Sequence, residues 1–598
     1  MKPIIYQLVV RYFGNINVTN QKNGSLTTNG CGKFTDISTV ALQSLHQLGV
    51  THVWLTGCLC QATLTDYSSQ GMPADDPDVV KGIAGSFYSI RDYFDVCPDY
   101  TVDPADRMTE FEELIARIHA AGLKCLIDFV PNHVARGYES VVRPDLNFGD
   151  GDDTSAFFKR DNHFFYLVEP PGQKLRLSKP SHWNPSGVAF DGEFAREDGD
   201  LGQPPKATGN NGFGVTLGDN DWYDTIKLNY GFNFVDGSCQ FSPRPRTWEL
   251  MNKVIAYWQA KGVDGFRCDF AHYVPDEFWT WLISEARQRD PVSFFIAEAY
   301  PDKNSKDPVK DMQEFINAGF DAVYHDAAYD TLKQIYRVKV SQDDYDREMR
   351  SPPVARQHLV EYLENHDERR IASPIVSSDG PDGSGFGSAE AGYQLAPLQF
   401  LYSRGPVLLL NGQEVGEPGA GEEGYNTDDG RTTFFDYWTM PEFVGWVNGH
   451  AYDGGGLSDA QKNLRKFYSA LLGLCQDTSV QGDGYWGLKY FNRPDKFPDC
   501  PSDLYSFARF ENNSGRVLIV VANFRTNSNG LDGCIRIPPE LASEARLNGN
   551  VTVHLVLDRQ GQQDVLVASL TVEQLKDQGF PVLIPNQSAH VYVLAVGK

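Results

Sequence analysis

Short runs of β-branched and apolar residues alternate with segments whose apolar positions recur every third or fourth residue, from the first residues to about position 475. This is the pattern of a parallel sheet wrapped by helices. Eight runs read as strands: Ile4–Val10, Thr51–Gly57, Lys124–Val130, Asp264–Phe270, Phe294–Tyr300, Asp321–Ala327, Leu359–His366 and Pro406–Asn411. Met108–Gly122 and Thr247–Gly262 read as amphipathic helices, each closed by a glycine. Eight strand-then-helix units predict an α/β fold of the (β/α)8 type, a TIM barrel whose active site lies at the C-terminal ends of the strands. The connection after the third strand is far too long for a loop, and its Gly, Pro, Asp and Trp content predicts an inserted domain over the barrel mouth. From about Leu504 the pattern turns all-β, which predicts a C-terminal antiparallel β-sandwich. The expected division is residues 1–131 and 247–495 for the barrel, 132–246 for the insert and 496–598 for the sandwich.

Composition narrows the function. With 12% aromatic residues and a formal net charge of −26, the chain is neither disordered nor suited to phosphate backbones or anionic lipid. A neutral ligand fits better, and neither nucleic acid nor membrane is expected as a partner. The longest apolar runs, such as Val517–Phe524, fall far below the roughly 18 residues of a membrane span. No signal peptide is visible at the N-terminus, so a cytoplasmic location is expected unless a leader has been cleaved, with secretion or a periplasmic location the alternative. The ten cysteines show no paired metal-type spacing and read as buried thiols.

The candidate chemistry is carboxylate chemistry. Asp128, Asp269, Glu298 and Asp367 each fall at or just beyond the end of a predicted strand, so a barrel would gather all four around one cavity. One such residue alone is as readily a cap or a salt-bridge partner. Four converging suit glycoside hydrolysis, which needs an ionised nucleophile and a proton donor. Arg267 lies two residues before Asp269 and shares its face of the strand; its cation is expected to lower the Asp269 pKa.

The flanking residues carry a resemblance. DFVPNH (Asp128–His133), GFRCD (Gly265–Asp269), AEAY (Ala297–Tyr300) and ENHDE (Glu364–Glu368) resemble, in order, the four signature regions of the α-amylase superfamily, glycoside hydrolase family 13. RYFGN (Arg11–Asn15), NGCGKF (Asn29–Phe34) and DGRTTFFDYW (Asp429–Trp438) further look like bacterial α-amylase-type members. The resemblance implies Asp269 as nucleophile, Glu298 as general acid and base, and Asp367 as the third carboxylate, gripping the sugar at subsite −1. It implies that His133 and His366 hydrogen-bond that sugar and that Tyr88 stacks on it. It gives Asp128 a supporting role and makes Asn132 a candidate ligand for a structural calcium ion, with no cofactor needed for the chemical step. Where many members have a Lys-His pair after the nucleophile, this chain has His272 and Tyr273, which puts the calcium site and the acceptor side in doubt; His272 is the residue expected near subsite +2. Asp150, Asp152, Asp153, Asp219 and Asp221 are further possible oxygen ligands for a cation.

DWYDTIKLNYG (Asp221–Gly231) resembles the family's fifth region, where Trp222 and Tyr223 either line the cleft or form the core of the insert. Ser377–Ser388 and Glu414–Asp429 read as mobile segments. The expected function is retaining hydrolysis of α-1,4-glucosidic bonds in starch- or glycogen-type glucans or maltooligosaccharides. A 4-α-glucanotransferase or maltosyltransferase is the alternative, and a non-catalytic glucan-binding subunit a distant one.

Overall fold

A parallel strand covered by helices on one side and by the barrel interior on the other is enclosed on both faces, and the eight strands are buried apart from a few first residues such as Lys124. In the computed structural model, which describes residues 1–180, 188–218, 220–300, 312–336, 341–375, 385–419, 421–425, 428–525 and 530–597, β1 (Ile4–Val9) and β8 (Val407–Leu410) are buried at every position. Between them run β2 (His52–Thr56), β3 (Lys124–Phe129), β4 (Gly265–Cys268), β5 (Phe294–Ala297), β6 (Ala322–Tyr324) and β7 (Leu359–Val360). All neighbours are parallel, in the order β7-β6-β5-β4-β3-β2-β1-β8. Glu361 bridges Val407 in parallel and closes the ring, with Leu408 N donating to Glu361 O at 2.9 Å. The last four strands are shorter than the apolar runs suggested. Asp326 already opens a helix, Asp326–Tyr336, and polar residues from Glu364 onward leave the ladder to build the rim.

Helices α1 (Thr39–Leu48), α2 (Arg107–Ala120), α3 (Arg246–Ala260) and α4 (Asp276–Arg289) cover the barrel. The chain turns into α1 because Ser38 accepts from Ala41 N, and it leaves because Gly49, at φ +112°, takes a backbone conformation closed to other residues. Phe111, Leu114, Ile115 and Ile118 form the inward stripe of α2. Trp258 of α3 meets Phe111 edge to face at 5.5 Å, and its indole donates to Tyr93 O at 2.8 Å. That bond anchors the strand Ile90–Val96, which pairs with Leu59–Gln61 and fixes the loop carrying Tyr88.

The segment between β3 and α3 folds into two small ladders, His133–Ala135 with Thr225–Lys227 and Arg176–Leu177 with Thr216–Leu217. Its core is small, so polar contacts share the work; the Arg136–Glu197 pair, 2.7 Å apart, is fully buried. Beyond the barrel, α5 (Ala391–Phe400) is buried throughout and α6 (Asp459–Leu474) starts in a capping box of Ser458 and Gln461.

The C-terminal sheet has six antiparallel strands: β9 (Gly484–Gly487), β10 (Leu504–Phe510), β11 (Arg516–Asn523), β13 (Asn550–Asp558), β14 (Gly561–Thr571) and β16 (Ala589–Val596), ordered β9-β10-β11-β16-β13-β14. A second layer pairs β12 (Leu531–Ile535) with β15 (Phe580–Ile584), and Ile519, Val521, Ile535 and Ile584 fill the space between. β9 lies ahead of residue 496, where the sandwich was expected to begin. Glycines at both of its ends, and Gly533 and Pro581 in β12 and β15, hid these three strands in the pattern. No cysteine among the described residues is disulfide-bonded, and eight of the ten are buried. Among the described residues no helix is long and apolar enough to cross a membrane.

Candidate active site

The ladders of β4 with β3 and of β5 with β4 each run one residue past the strand ends. Asp269 N donates to Phe129 O at 2.9 Å and Glu298 N to Cys268 O at 3.0 Å, which holds the two carboxylate-bearing backbones side by side at the barrel's C-terminal mouth. The chain then turns sharply. Phe270 sits at φ +43°, ψ +45°, a left-handed conformation costly for a bulky residue, and its N–H donates to Glu298 Oε2 at 2.9 Å. Strain beside the presumed nucleophile thus aims a donor at the presumed acid.

Arg267 is the electrostatic centre. Its Nη1 lies 2.6 Å from Asp269 Oδ1 and 3.5 Å from Asp128 Oδ1, its Nη2 lies 2.8 Å from Glu298 Oε1, and it is 1% exposed. Tyr300 OH adds a 3.0 Å hydrogen bond to Glu298 Oε1. Burial pushes the Asp269 carboxyl well above the usual carboxylate range, the Arg267 cation pulls it back, and the Glu298 and Asp128 charges push it up again. Arg267 does lower it, as expected, but burial and the neighbouring carboxylates outweigh that single cation, and the net direction is upward. Asp128 supports the group as expected, also accepting from Gly57 N at 3.1 Å.

Asp367 goes the other way. Desolvation in the cleft would raise its pKa, but His366, Arg267 and Arg431 outweigh it and hold the group well below the usual carboxylate range. His366 does not stand in the cavity wall. It is 6% exposed; Gln7 Nε2 donates to its Nδ1 at 2.7 Å, which leaves the hydrogen on Nε2, 2.6 Å from Tyr88 OH and 2.9 Å from Asp367 Oδ2. The geometry makes His366 a support for Tyr88, whose ring stacks on it at 5.2 Å, and for Asp367.

The cavity has a volume of about 350 Å³, within the range of small-ligand pockets. Tyr88, His133, Asp269, Glu298 and Asp367 line it together. His272 is not among its lining residues; its ring stands 5.5 Å from that of Phe270 and 6.1 Å from that of Tyr300. Trp222 and Tyr223 divide the two roles between them. Trp222 is in the wall, 4.8 Å from Phe270 and 5.3 Å from His133, whereas Tyr223 is core, packed with Leu175, Leu177 and Phe194.

The wall also holds Lys81, Ser86, Asp224, Thr225, Phe270, Tyr300, Glu368, Phe434 and Phe435, none of which stands out as a wall residue in the sequence. Lys81, paired with Asp224 at 3.0 Å, lies in a stretch without periodicity that is held at the cleft by distant partners, among them Phe435 O, which accepts from Ala84 N at 3.0 Å. Phe434 and Phe435 were within a recognised motif, and the structure supplies the link between the motifs. Arg11 donates to Phe434 O, Asn15 to Trp438 O and Asn29 to Tyr437 O, so all three motifs build one wall. In the Glu414–Asp429 segment, read as mobile, three glutamates are held: Glu414 accepts from Tyr6 OH at 2.8 Å, Glu417 from Phe443 N at 2.8 Å and Glu423 from Thr433 N at 3.0 Å. Most of Ser377–Ser388 lies outside the described residues, as does Asp219.

The residues at Asn132 do not fit a calcium ion. Asn132 Oδ1 accepts from the ammonium of Lys227, which also donates to Tyr273 O at 3.2 Å. A positive charge already sits between the two oxygens. Two of the acids considered as ligands have backbone partners of their own: Asp152 accepts from His163 N and Asp221 from Gly218 N. Among the described residues no three His, Cys, Asp or Glu side chains gather to hold a metal.

Fold and site together define a parallel barrel with a carboxylate-lined cleft at the C-terminal ends of its strands, the face on which such barrels carry active sites. The family model "Alpha amylase, catalytic domain" matches residues 22–438. The chain is 24% identical over 521 residues to the α-amylase of Streptomyces lividans, covering 81% of this chain and 50% of that protein, so it spans half the length of that relative. A shorter stretch of 56 residues, 9% of this chain and 8% of that protein, is 43% identical to the α-1,4-glucan:maltose-1-phosphate maltosyltransferase of Pseudomonas aeruginosa. Among solved structures, the α-amylase of Geobacillus thermoleovorans complexed with acarbose aligns with a TM-score of 0.59 at 17% identity, covering 100% of this chain and 99% of that one. The chain belongs to the α-amylase family.

Proposed function

We propose that this protein is a retaining glycoside hydrolase that cleaves α-1,4-glucosidic bonds of maltooligosaccharides and starch-type glucans through a covalent glycosyl-enzyme. The observation that carries this reading is the single guanidinium fork of Arg267 spanning Asp269 and Glu298 at 2.6 and 2.8 Å. A pair held by one fork suits the close spacing of direct attack, about 5–5.5 Å, better than the roughly 6.5–9.5 Å that admits an intervening water. Asp269 attacks the anomeric carbon while Glu298 protonates the departing oxygen, and Glu298 then takes the proton from the incoming water. Asp367, kept ionised, grips the hydroxyls of the distorted sugar, and Tyr88 covers its apolar face. His133 is held neutral: burial, Lys227 and Lys81 lower its pKa to about 3, so it adds a hydrogen-bond donor without adding charge.

A glucan transferase sharing the same glycosyl-enzyme is the second reading, favoured by the 56-residue likeness to a maltosyltransferase. Incubation with maltotriose and maltotetraose separates the two. Steadily rising reducing ends with shortened products are expected. Redistribution of chain lengths with almost no gain of reducing ends would replace hydrolysis by transfer.

A further inference from the structure

Lys227 is the last residue of the strand that pairs with His133–Ala135, and it is 2% exposed. Its ammonium reaches Asn132 Oδ1, just after β3, and Tyr273 O, in the turn that follows Asp269. The Tyr273 ring lies 5.2 Å from Nζ and the Phe234 ring 5.8 Å, so aromatic faces supply further stabilisation of the positive charge. One buried cation thus ties together the inserted segment, the exit of β3 and the turn after the nucleophile.

We propose that Lys227 is a built-in substitute for a structural divalent cation, which makes the joint between insert and barrel independent of calcium and sets the orientation of His133. The two acceptors, an amide oxygen and a backbone carbonyl, are of the kind a hard cation takes. Calcium would need six to eight oxygens, and would have to displace a like charge already bonded to these two. The orientation follows through Asn132. With Oδ1 turned to Lys227, its Nδ2 faces Gly209 O at 2.8 Å and His133 Nδ1 at 3.1 Å. Nδ1 is then an acceptor, and neutral His133 carries its hydrogen on Nε2. Lys227 is therefore a positioning residue, acting on the cavity through Asn132 and His133.

The test compares wild-type protein melted with excess chelator and with millimolar calcium, alongside Lys227→Met under both conditions. The two wild-type melting curves should coincide, and calorimetric titration with calcium should give no saturable heat. Lys227→Met should melt several degrees lower with or without calcium, and nitrogen NMR of His133 should lose the single Nε2–H form. A wild-type melting temperature that falls on chelation and returns with calcium would overturn the proposal, as would a Lys227→Met variant that matches wild type in stability and in the His133 signal. If Lys227→Met does not fold, the wild-type calcium titration decides alone, and Lys227→Arg, which keeps the charge, should fold and remain indifferent to chelator.

Discussion

Asp269→Asn is expected to lower kcat by more than about 10⁴-fold on an unactivated glucan, and Glu298→Gln by about 10²–10⁴-fold, with little loss of fold in either. Both substitutions keep the shape of the side chain while removing the nucleophile or the transferable proton. Stability should hold because Arg267 still has a carboxylate partner in each variant, at 2.8 Å in Asp269→Asn and 2.6 Å in Glu298→Gln. Removing one of several crowded negative charges also relieves repulsion that burial had concentrated. Single-turnover kinetics with maltotetraose, beside a thermal melt, checks both halves. Near wild-type turnover by either variant would falsify the assignment.

Arg267→Met is expected to give the largest loss of stability of any single change at the site, about 3–5 kcal/mol, because it leaves buried Asp128, Asp269 and Glu298 without their shared cation. The denaturant midpoint measures it. Residual activity should also show its acid limb at higher pH than wild type. Asp269 must be ionised to attack, its pKa is already raised by burial, and loss of the Arg267 charge raises it further, so protonation sets in earlier as pH falls. Arg267→Lys, which restores a point charge without the planar fork, should recover part of the stability and less of the activity. An Arg267→Met protein as stable as wild type would mean that the cation does not hold the site together.

The barrel was legible because a strand buried on both faces must be apolar along its whole length, a pattern that survives without any tertiary knowledge. β1 and β8 show it plainly. Asp269 and Glu298 were legible for a related reason, being carboxylates just past the ends of short strand runs, GFRC before Asp269 and FFIA before Glu298. What the sequence hid was set by contacts between distant segments. His366 has the motif of a sugar ligand, yet its position beneath Tyr88 depends on Gln7, 359 residues away. Lys227 sits in a recognised motif, but a lysine at the end of a short strand reads as solvated until Asn132 and Tyr273 close over it. The upward push on Asp269 was missed because a neighbouring arginine is visible in sequence, whereas the number of carboxylates sharing it is a property of the closed barrel.

The configuration of the first product distinguishes attack by Asp269 from attack by water. Proton NMR of maltooligosaccharide cleavage, followed from the first seconds at high enzyme concentration, resolves the two anomers before they interconvert. Double displacement at Asp269 predicts the α-anomer first, with β accumulating only at the rate of mutarotation. β-Anomer formed first would contradict it, and would require a water between Asp269 and the anomeric carbon, with Asp269 acting as general base instead of nucleophile.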